Sequence, residues 1–417
     1  MILTGGYAFL FAVAFSINLI FQTREAGLNA FQLVLIGSVL ELTIFLGEVP
    51  TGIVADVYGR KRSVLIGLVL SGLGLMLAGA YTNFETIILG HVVYGLGATF
   101  MSGAQQAWIA DEVGVDRANR VYLRSAQLVP ACHFVAVPLA IYLATVDLNT
   151  PIIIGGACMI GLAAFLLITM PELGFQRFEP DSDEARPARG LTATLFAGGR
   201  LVRGSPLLLT IFGIMFFYGM ASEGFDRLWI KHFYDDIGFP SLSFLDSLVQ
   251  IQGEDISLVW LGGIRMGALL LSVLGVELIR RKINTESHKA VSRALFFINA
   301  FQVTGLIVIA GATDFYVGMA AFWAVVTLSN VFDPLYLAWV NQSIESRVRA
   351  TVLSMSSQVN AIGQFGGGPV LGFVGLHASL KAALYGAAAV MMPALILYMQ
   401  AFDMDKPDEP EEAASAP

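Results

Sequence analysis

Charged residues are scarce in this sequence of 417 residues, because Asp, Glu, Lys and Arg together make up only 13% of it. An ordinary soluble domain carries about 25%. Apolar residues make up 56% of the chain, and they fall in long runs. The composition therefore excludes a protein that faces water on all sides. It predicts helices that cross a lipid bilayer, each of which needs about 20 mostly apolar residues.

Cysteine is also scarce, since Cys132 and Cys158 are the only two and both lie in apolar runs. Two cysteines exclude a disulfide framework and a cysteine-based metal site. We expect them to be small buried apolar residues. The sequence also lacks a metal-ligand cluster, a nucleophile–base pair and a phosphate-binding loop. We therefore expect no metal, no cofactor and no enzyme activity.

A basic surface is missing as well, and the net charge of −8 comes mostly from the C-terminus. The last segment, residues 403–417, holds six acidic residues against Lys406 alone. Its Pro, Ala and Glu content predicts a disordered acidic tail. Nothing in the chain resembles a nucleic-acid-binding surface, so we expect no nucleic-acid partner.

Twelve apolar runs follow one another, and a polar stretch separates the first six from the last six. This pattern predicts an all-α membrane protein with an N-terminal six-helix bundle (residues 1–171), a cytoplasmic linker (172–205) and a C-terminal six-helix bundle (206–402). The runs lie at about residues 7–22, 31–55, 64–80, 86–109, 123–146, 151–170, 206–233, 257–279, 290–310, 315–340, 351–376 and 380–402.

The basic residues give the expected orientation. If the N-terminus is cytoplasmic and the twelve spans alternate, 19 of the 24 Lys and Arg residues fall in cytoplasmic segments. Positive residues concentrate on that side of a membrane. We therefore expect a multi-pass protein of the cell inner (plasma) membrane with both termini in the cytoplasm.

A weak internal repeat supports the division into halves. Trp108 precedes Gln127 by 19 residues, and Trp339 precedes Gln358 by the same interval. Both stretches run from the end of one span, through a basic loop, into the next span. Two parallel repeats related by an axis along the membrane normal fit this pattern.

The loop between spans two and three carries the most specific motif, Gly52-Ile-Val-Ala-Asp56-Val-Tyr-Gly59-Arg60-Lys61-Arg62. Gly52 would permit close helix contact, and Gly59 would permit a tight turn. Asp56 could accept a hydrogen bond from Arg60 or from the amides at a helix N-terminus. The motif and the twelve spans together resemble the major facilitator superfamily of transporters, in particular its bacterial drug-efflux-like group.

This resemblance implies two pseudo-symmetric six-helix bundles that alternate in opening toward each side of the membrane. It also implies that Gly52, Asp56, Gly59, Arg60 and Lys61 form a latch, which joins the bundles on the cytoplasmic side when the protein opens outward.

Seven ionisable residues inside the spans are candidates for proton coupling or for a charge network, because a charge in the bilayer core costs at least ~2.5 kcal/mol. Burial favours the neutral form of a carboxylate, and a nearby arginine favours its charged form, so a moving arginine can control the proton. The alternative is a purely structural network that pairs Asp226 with Arg265, and Glu223 or Asp333 with Arg227. The seven are Glu41, Glu48, Glu223, Asp226, Arg227, Arg265 and Asp333.

The resemblance also implies which spans line a central cavity, namely one, four, seven and ten. The polar and aromatic candidates on these spans are Asn18, Gln22, Gln105, Gln106, Trp229, Asn330 and Tyr336. Apolar walls with a few polar groups suit an amphipathic organic solute, and aromatic faces attract cations. We expect His91 and His133 to be hydrogen-bonded core residues, with a proton relay as the alternative.

The function predicted from these features is secondary active transport of a small organic solute, amphipathic or cationic, by a monomer in the lipid bilayer. Proton-coupled export that resembles multidrug efflux is the first hypothesis. A metabolite importer or facilitator of the same fold is the second. A membrane enzyme or a receptor is the third, and the lack of a catalytic constellation and of extramembrane domains counts against it.

Overall fold

The structure is a computed structural model that describes residues 1–175, 205–241, 255–283, 287–344 and 346–404. Most of the predicted linker and almost all of the predicted acidic tail lie outside these residues. The boundaries predicted for those two segments remain predictions.

Seven helices form the first half of the chain. They are α1 (Ile2–Arg24), α2 (Ala30–Tyr58), α3 (Arg60–Ala80), α4 (Phe84–Met101), α5 (Ala104–Val113), α6 (Val115–Ala144) and α7 (Thr150–Thr169). The predicted fourth span is divided between α4 and α5. The break falls at Ser102 and Gly103, where Gly103 has a positive φ of 67° that favours glycine.

Six α-helices form the second half. They are α8 (Pro206–His232), which continues as one π-helical turn (Phe233–Ile237), α9 (Asp255–Lys282), α10 (His288–Gly311), α11 (Phe315–Ser343), α12 (Ser346–His377) and α13 (Leu380–Met404). No strand occurs among the described residues. The predicted all-α fold with two six-helix bundles is confirmed.

Eleven membrane-crossing segments of the described chain are long and apolar enough to span a bilayer. Helix α12 has 32 residues but carries a polar run of Ser, Gln, Asn and Gly near its middle, which lowers its hydropathy. It packs against both α2 and α8. With α12, the described residues contain twelve segments that correspond to the predicted spans.

Local signals determine several helix ends. Asn29 and Gln32 form a capping box at the start of α2, in which each side chain bonds the backbone amide of the other residue. Asp314 caps α11 by accepting from the amides of Tyr316 and Val317. Gly59, at φ 112°, makes the one-residue turn between α2 and α3.

Helices α1–α7 pack into one bundle and α8–α13 into the other, and the bundles meet chiefly along α2 and α6 of the first bundle, with α2 also packing on α8. Helix α2 packs on α12, and α6 packs on α9. Cys158 lies exposed on the outer surface of its bundle, and Cys132 is half-buried. The prediction that both cysteines are buried is therefore wrong. An exposed apolar side chain is stable in a helix that faces lipid tails, which water-based burial rules do not describe.

The two bundles lie closer together at one end of the molecule than at the other. We call the end that carries Arg60, Arg117 and Arg280 the basic end, and the end that carries Arg24 and His377 the opposite end. At the opposite end α2 lies close to α12, with Ala30 against Gly375 and Val34 against Gly372.

Toward the basic end, α2 and α12 stay in touch through the rings of Phe45 and Phe365, which lie 5.5 Å apart. The next contact is a hydrogen bond from Gln358 to Glu48. Farther along α2, Gly52 has nothing within 4 Å of its Cβ position. The structure is thus closed at the opposite end and open at the basic end.

Candidate transport site

A cavity of about 410 Å³ lies between the two bundles, near the middle of the membrane-spanning region. We call it the central cavity. Helices α1 and α6 line it from the first bundle, and α8, α9 and α11 line it from the second. Its polar lining residues are Ser16, His133, Asp226, Arg265, Ser272 and Asn330, and its aromatic ones are Phe11, Phe15, Trp229 and Phe322. Trp229 and Asn330, two of the candidates named from the sequence, line this cavity.

A second cavity of about 350 Å³ lies inside the C-terminal bundle, and we call it the side cavity. Asp226, Val326 and Asn330 line both cavities, so the two are adjacent. The side cavity is markedly polar, with Gln302, Ser329, Asp333, Asn360 and Gln364 on its walls. Asp333 is exposed to this space and has no ion-pair partner among the described residues.

An ion pair on α8 lies at the boundary between the bundles. Arg227 Nε donates to Glu223 Oε1 at 3.0 Å, and both side chains are nearly buried. Gly37 of α2 packs directly on this pair, and a Cβ there would overlap both Glu223 Oε1 and Arg227 Nε. Glu41, one helical turn further along α2, lies within electrostatic range of Glu223 and Arg227. Residues of both bundles therefore form one charge cluster.

Asp226 and Arg265 lie in the central cavity without pairing directly. Neither forms an ion pair within 4.0 Å with any residue that the structure describes. The guanidinium carbon of Arg265 lies 5.7 Å from the ring centroid of Trp229, a distance at which cation and ring attract each other. The structural network considered from the sequence is therefore half present: Glu223 pairs with Arg227, whereas Asp226–Arg265 and Asp333–Arg227 contacts are not formed.

Glu48 joins the bundles at the margin of the open half. Its Oε2 accepts a hydrogen bond from Gln358 Nε2 at 2.9 Å. Gln358 is the residue that the internal repeat singled out in the second half. Because Glu48 is exposed, water competes for this bond.

Asn18 and Gln22 do not line either cavity in this conformation, because they are buried with His91 inside the first bundle. Asn18 Nδ2 lies 2.9 Å from His91 Nε2, and Gln22 Nε2 lies 3.2 Å from Asn18 Oδ1. His91 Nδ1 lies 2.8 Å from the carbonyl oxygen of Ile87, which can only accept. His91 therefore carries hydrogen on Nδ1 and accepts from Asn18, as a hydrogen-bonded core residue does.

Three other predicted cavity residues lie elsewhere. Gln105 donates to Thr4 at 3.0 Å near the basic end, and the Gln106 carbonyl accepts from Tyr122 there. Tyr336 is buried in the core of the second bundle, where its hydroxyl bonds Ser356. None of these three residues lines the central cavity or the side cavity.

The loop motif forms contacts inside its own bundle. Arg60 pairs with Asp111 of α5 at 2.6 Å and lies 3.9 Å from Asp56. Asp56 is 62% exposed, and it forms no ion pair with the second bundle among the residues that the structure describes. The predicted close helix contact at Gly52 is not formed, because α2 diverges from α12 before that residue.

The segment after α7 completes this network. Glu172 accepts from the backbone amide of Lys61 at 2.8 Å, and the Lys61 ammonium donates to the carbonyl of Met170 at 2.6 Å. Trp108 donates to the carbonyl of Pro171. The motif therefore holds α2, α3, α5 and the end of α7 together as one unit.

Sequence reasoning missed Gly37, Asp111 and Glu172. Gly37 is one of 43 glycines and lies in no motif. Asp111 and Glu172 lie near span ends, where acidic residues are common, and their contact with the motif loop depends on helix packing. One signal for Asp111 was available in the sequence. It is an acidic residue at the end of the fourth span, on the same side of the membrane as the basic motif loop.

Comparison with known proteins gives consistent matches. The sequence model of the Major Facilitator Superfamily matches residues 1–297. "Uncharacterized MFS-type transporter YxaM" of Bacillus subtilis (strain 168) is 22% identical over 377 residues, which cover 88% of this chain and 86% of that protein.

Two solved structures illustrate the likeness of fold. The nucleoside transporter NupG is 16% identical, with a TM-score of 0.71, and the match covers 97% of this chain and 98% of that one. A bacterial homologue of the human lysosomal transporter Spinster, in an inward-facing and unoccupied conformation, is 13% identical with a TM-score of 0.69. That match covers 96% of this chain and 95% of the other.

Proposed function

Since this chain belongs to the major facilitator superfamily, and is thus a membrane transporter and not an enzyme, we propose that it moves a small amphipathic organic solute by proton-coupled alternating access. The observation that carries the coupling is the Glu223–Arg227 ion pair packed on Gly37 of the other bundle. The central cavity would hold the solute. Glu41, Glu223 and Asp226 are the proposed proton carriers.

Orientation follows from the basic residues. We propose that the basic end faces the cytoplasm, because positive loops stay on that side of the inner membrane. Both termini then lie in the cytoplasm, and the present conformation is open to the inside. Residues 1–171 and 206–402 are the proposed moving bundles, residues 172–205 the cytoplasmic linker, and residues 403–417 a disordered tail. One chain lines both cavities, which supports a monomeric transport unit.

Protonation can act on the closed end through the ion pair. Adding a proton to Glu223 would weaken its charge-assisted bond and leave the Arg227 charge buried without a full partner. Removing one partner of a buried ion pair costs about 3–5 kcal/mol. That cost would fall on the state in which Gly37 and the pair are in contact, so protonation would favour separation of the bundles at this end.

The motif loop would act in the opposite state. When the central cavity opens outward, the basic ends of the bundles approach each other, and Asp56 is free to contact the second bundle. Gly52 would then meet a facing helix, while Gly59, Arg60 and Lys61 keep Asp56 in place through their contacts with Asp111, Met170 and Glu172. The latch role predicted for these residues is therefore a proposal for the outward-open state.

The direction of transport depends on whether the proton and the solute bind in turn or at the same time. Export, the direction that the sequence resemblance implies, requires that they occupy the transporter alternately. Uptake of a metabolite is the second candidate, in which proton and solute bind together. The position of Arg265 in the central cavity favours this second candidate for a negatively charged solute, because a proton on Asp226 would then strengthen solute binding.

Proteoliposomes provide the test. A panel of radiolabelled anionic, neutral and cationic organic solutes would be offered with and without an imposed pH gradient, together with a pH-sensitive dye inside the vesicles. We expect at least one solute to move against its gradient while protons move, and Glu223→Gln to uncouple the two. Glu85→Gln is the matched control, because Glu85 lies at the start of α4 near the opposite end. Solute movement that ignores the pH gradient in the wild-type protein would refute proton coupling.

A further inference from the structure

Arg265 differs from the other membrane-embedded arginine in lacking an acidic partner. Arg227 is neutralised by Glu223 at 3.0 Å. Arg265 lines the central cavity, and its Nε is shielded from solvent without a hydrogen-bond partner. A guanidinium with a shielded N–H that bonds nothing is costly, and the cost falls when an anion binds the group.

Asp226, the other charged residue of the central cavity, has different surroundings. Its side chain is exposed to the cavity, whereas the Nε of Arg265 is shielded. It lies within electrostatic range of Arg265 but does not bond it. The cavity therefore contains an acid and a base that do not pair with each other, and an anionic ligand would give Arg265 the acidic partner that it lacks within 4.0 Å among the described residues. The remaining titratable group on the wall is His133.

The walls around Arg265 are aromatic on both sides. Trp229 and Phe322 of the second bundle lie 4.2 Å apart, and Phe11 and Phe15 of the first bundle stack at 4.3 Å. These rings would hold a flat or apolar body between them. Arg265 lies beside this aromatic space, where a guanidinium can bind the two oxygens of a carboxylate with two parallel hydrogen bonds.

From these positions we propose that the solute is an organic anion, with one carboxylate or similar acidic group bound by Arg265 and an apolar or aromatic body held between Phe15 and Trp229. This inference rests on the proposed transport function and names the solute class for that same cavity. It departs from the cationic solute expected from the sequence. That expectation came from the aromatic residues, and the sequence did not indicate that Arg265 lies beside them in the cavity.

Three compounds with one body and different head charges test the inference directly. They are 4-phenylbutyrate (anionic), 4-phenylbutanamide (neutral) and 4-phenylbutylamine (cationic). Binding to the full chain in nanodiscs would be measured by microcalorimetry. We expect the anion to bind about ten-fold or more tightly than the amide, and the amine to bind more weakly than the amide.

Variants assign the preference to Arg265. Arg265→Gln should remove the advantage of the anion over the amide, and Arg265→Lys should restore part of it, because lysine keeps the charge without the planar fork. Asp226→Asn should strengthen anion binding, since it removes a neighbouring negative charge. Lys381→Gln, at the start of α13 near the opposite end, loses the same charge outside the cavity and should bind like the wild type.

Each outcome decides between the alternatives. Equal binding of all three compounds, tighter binding of the amine, or no binding to protein whose thermal unfolding shows it to be folded would overturn the inference. So would an anion preference that survives Arg265→Gln. Arg265-dependent binding of the anion without gradient-driven movement in proteoliposomes would uphold the anion site and refute the transport of this compound. Gradient-driven movement of other solutes without an anion preference would uphold the proposed transport function and refute the anion site.

Discussion

The carboxylate of Glu223 lies against the backbone of Gly37 across the boundary between the two bundles, and it forms its 3.0 Å ion pair with Arg227 at that place. No side chain fits between them, so the closed end depends on the absence of a Cβ at residue 37. This relationship connects a charge that can be neutralised by a proton to a contact that must break when the closed end opens.

Replacing Gly37 with alanine should shift the conformational equilibrium toward separation of the bundles at the opposite end. The added Cβ overlaps Glu223 Oε1 and Arg227 Nε, and overpacking of this kind costs about 1–3 kcal/mol. A change of 1.4 kcal/mol shifts a two-state ratio about ten-fold. Spin labels at Thr82 and Thr313, which are exposed at the opposite end of each bundle, would report the distance between the bundles.

Gly161→Ala is the matched control for that experiment. Gly161 lies in α7, and a Cβ there meets nothing within 4 Å. We expect its distance distribution to match that of the wild type. A Gly37→Ala distribution that also matches the wild type would show that the ion pair moves aside without affecting closure.

The Arg60–Asp111 pair should contribute about 1 kcal/mol to the stability of the N-terminal bundle, because both side chains are only partly exposed and lie 2.6 Å apart. Arg60→Ala and Asp111→Ala should each lower the thermal unfolding temperature in detergent. The exchanged pair Arg60→Asp with Asp111→Arg should recover part of the loss. If the exchanged pair instead lowers the unfolding temperature by the sum of the two single losses, the two residues act separately.

His232 should stabilise the opposite end of the second bundle. It is fully buried, and its Nδ1 lies 2.7 Å from Asp236 Oδ2 while its Nε2 lies 2.8 Å from the carbonyl oxygen of Ile309. Nε2 donates to the Ile309 carbonyl, so the ring joins the end of α8 to α10. His232→Leu should lower the free energy of unfolding by about 2 kcal/mol. His377→Leu, at an exposed position, should change it little, and equal effects of the two variants would refute this role.

The sequence was sufficient to predict the spans, their division into two bundles and the turn at Gly59. Long apolar runs form helices that span the membrane, and glycine accepts the backbone conformation that a tight turn needs. It also suggested the Glu223–Arg227 pair, since residues four apart share one face of a helix. These features depend on distances along one helix, and such distances can be read from the sequence.

The faces of the helices could not be read in the same way. Helix α1 is apolar nearly all round and buries residues on every side, so its pattern does not separate the cavity face from the face that packs on α4. Asn18 and Gln22 were therefore placed in the cavity, whereas they bond His91 in the bundle interior. The contact of Gly37 with Glu223 depends on how two distant helices cross, which no local pattern indicates.

The central claim is that protons act on the contact between the bundles through Glu41, Glu223 and Arg227. The most direct measurement is the distance between spin labels at Thr82 and Thr313 as a function of pH, in the wild type and in Glu223→Gln. We predict that the wild-type distance increases as pH falls, and that Glu223→Gln shows the long distance at every pH. A wild-type distance that does not change with pH, or a Glu223→Gln protein that responds like the wild type, would contradict the claim.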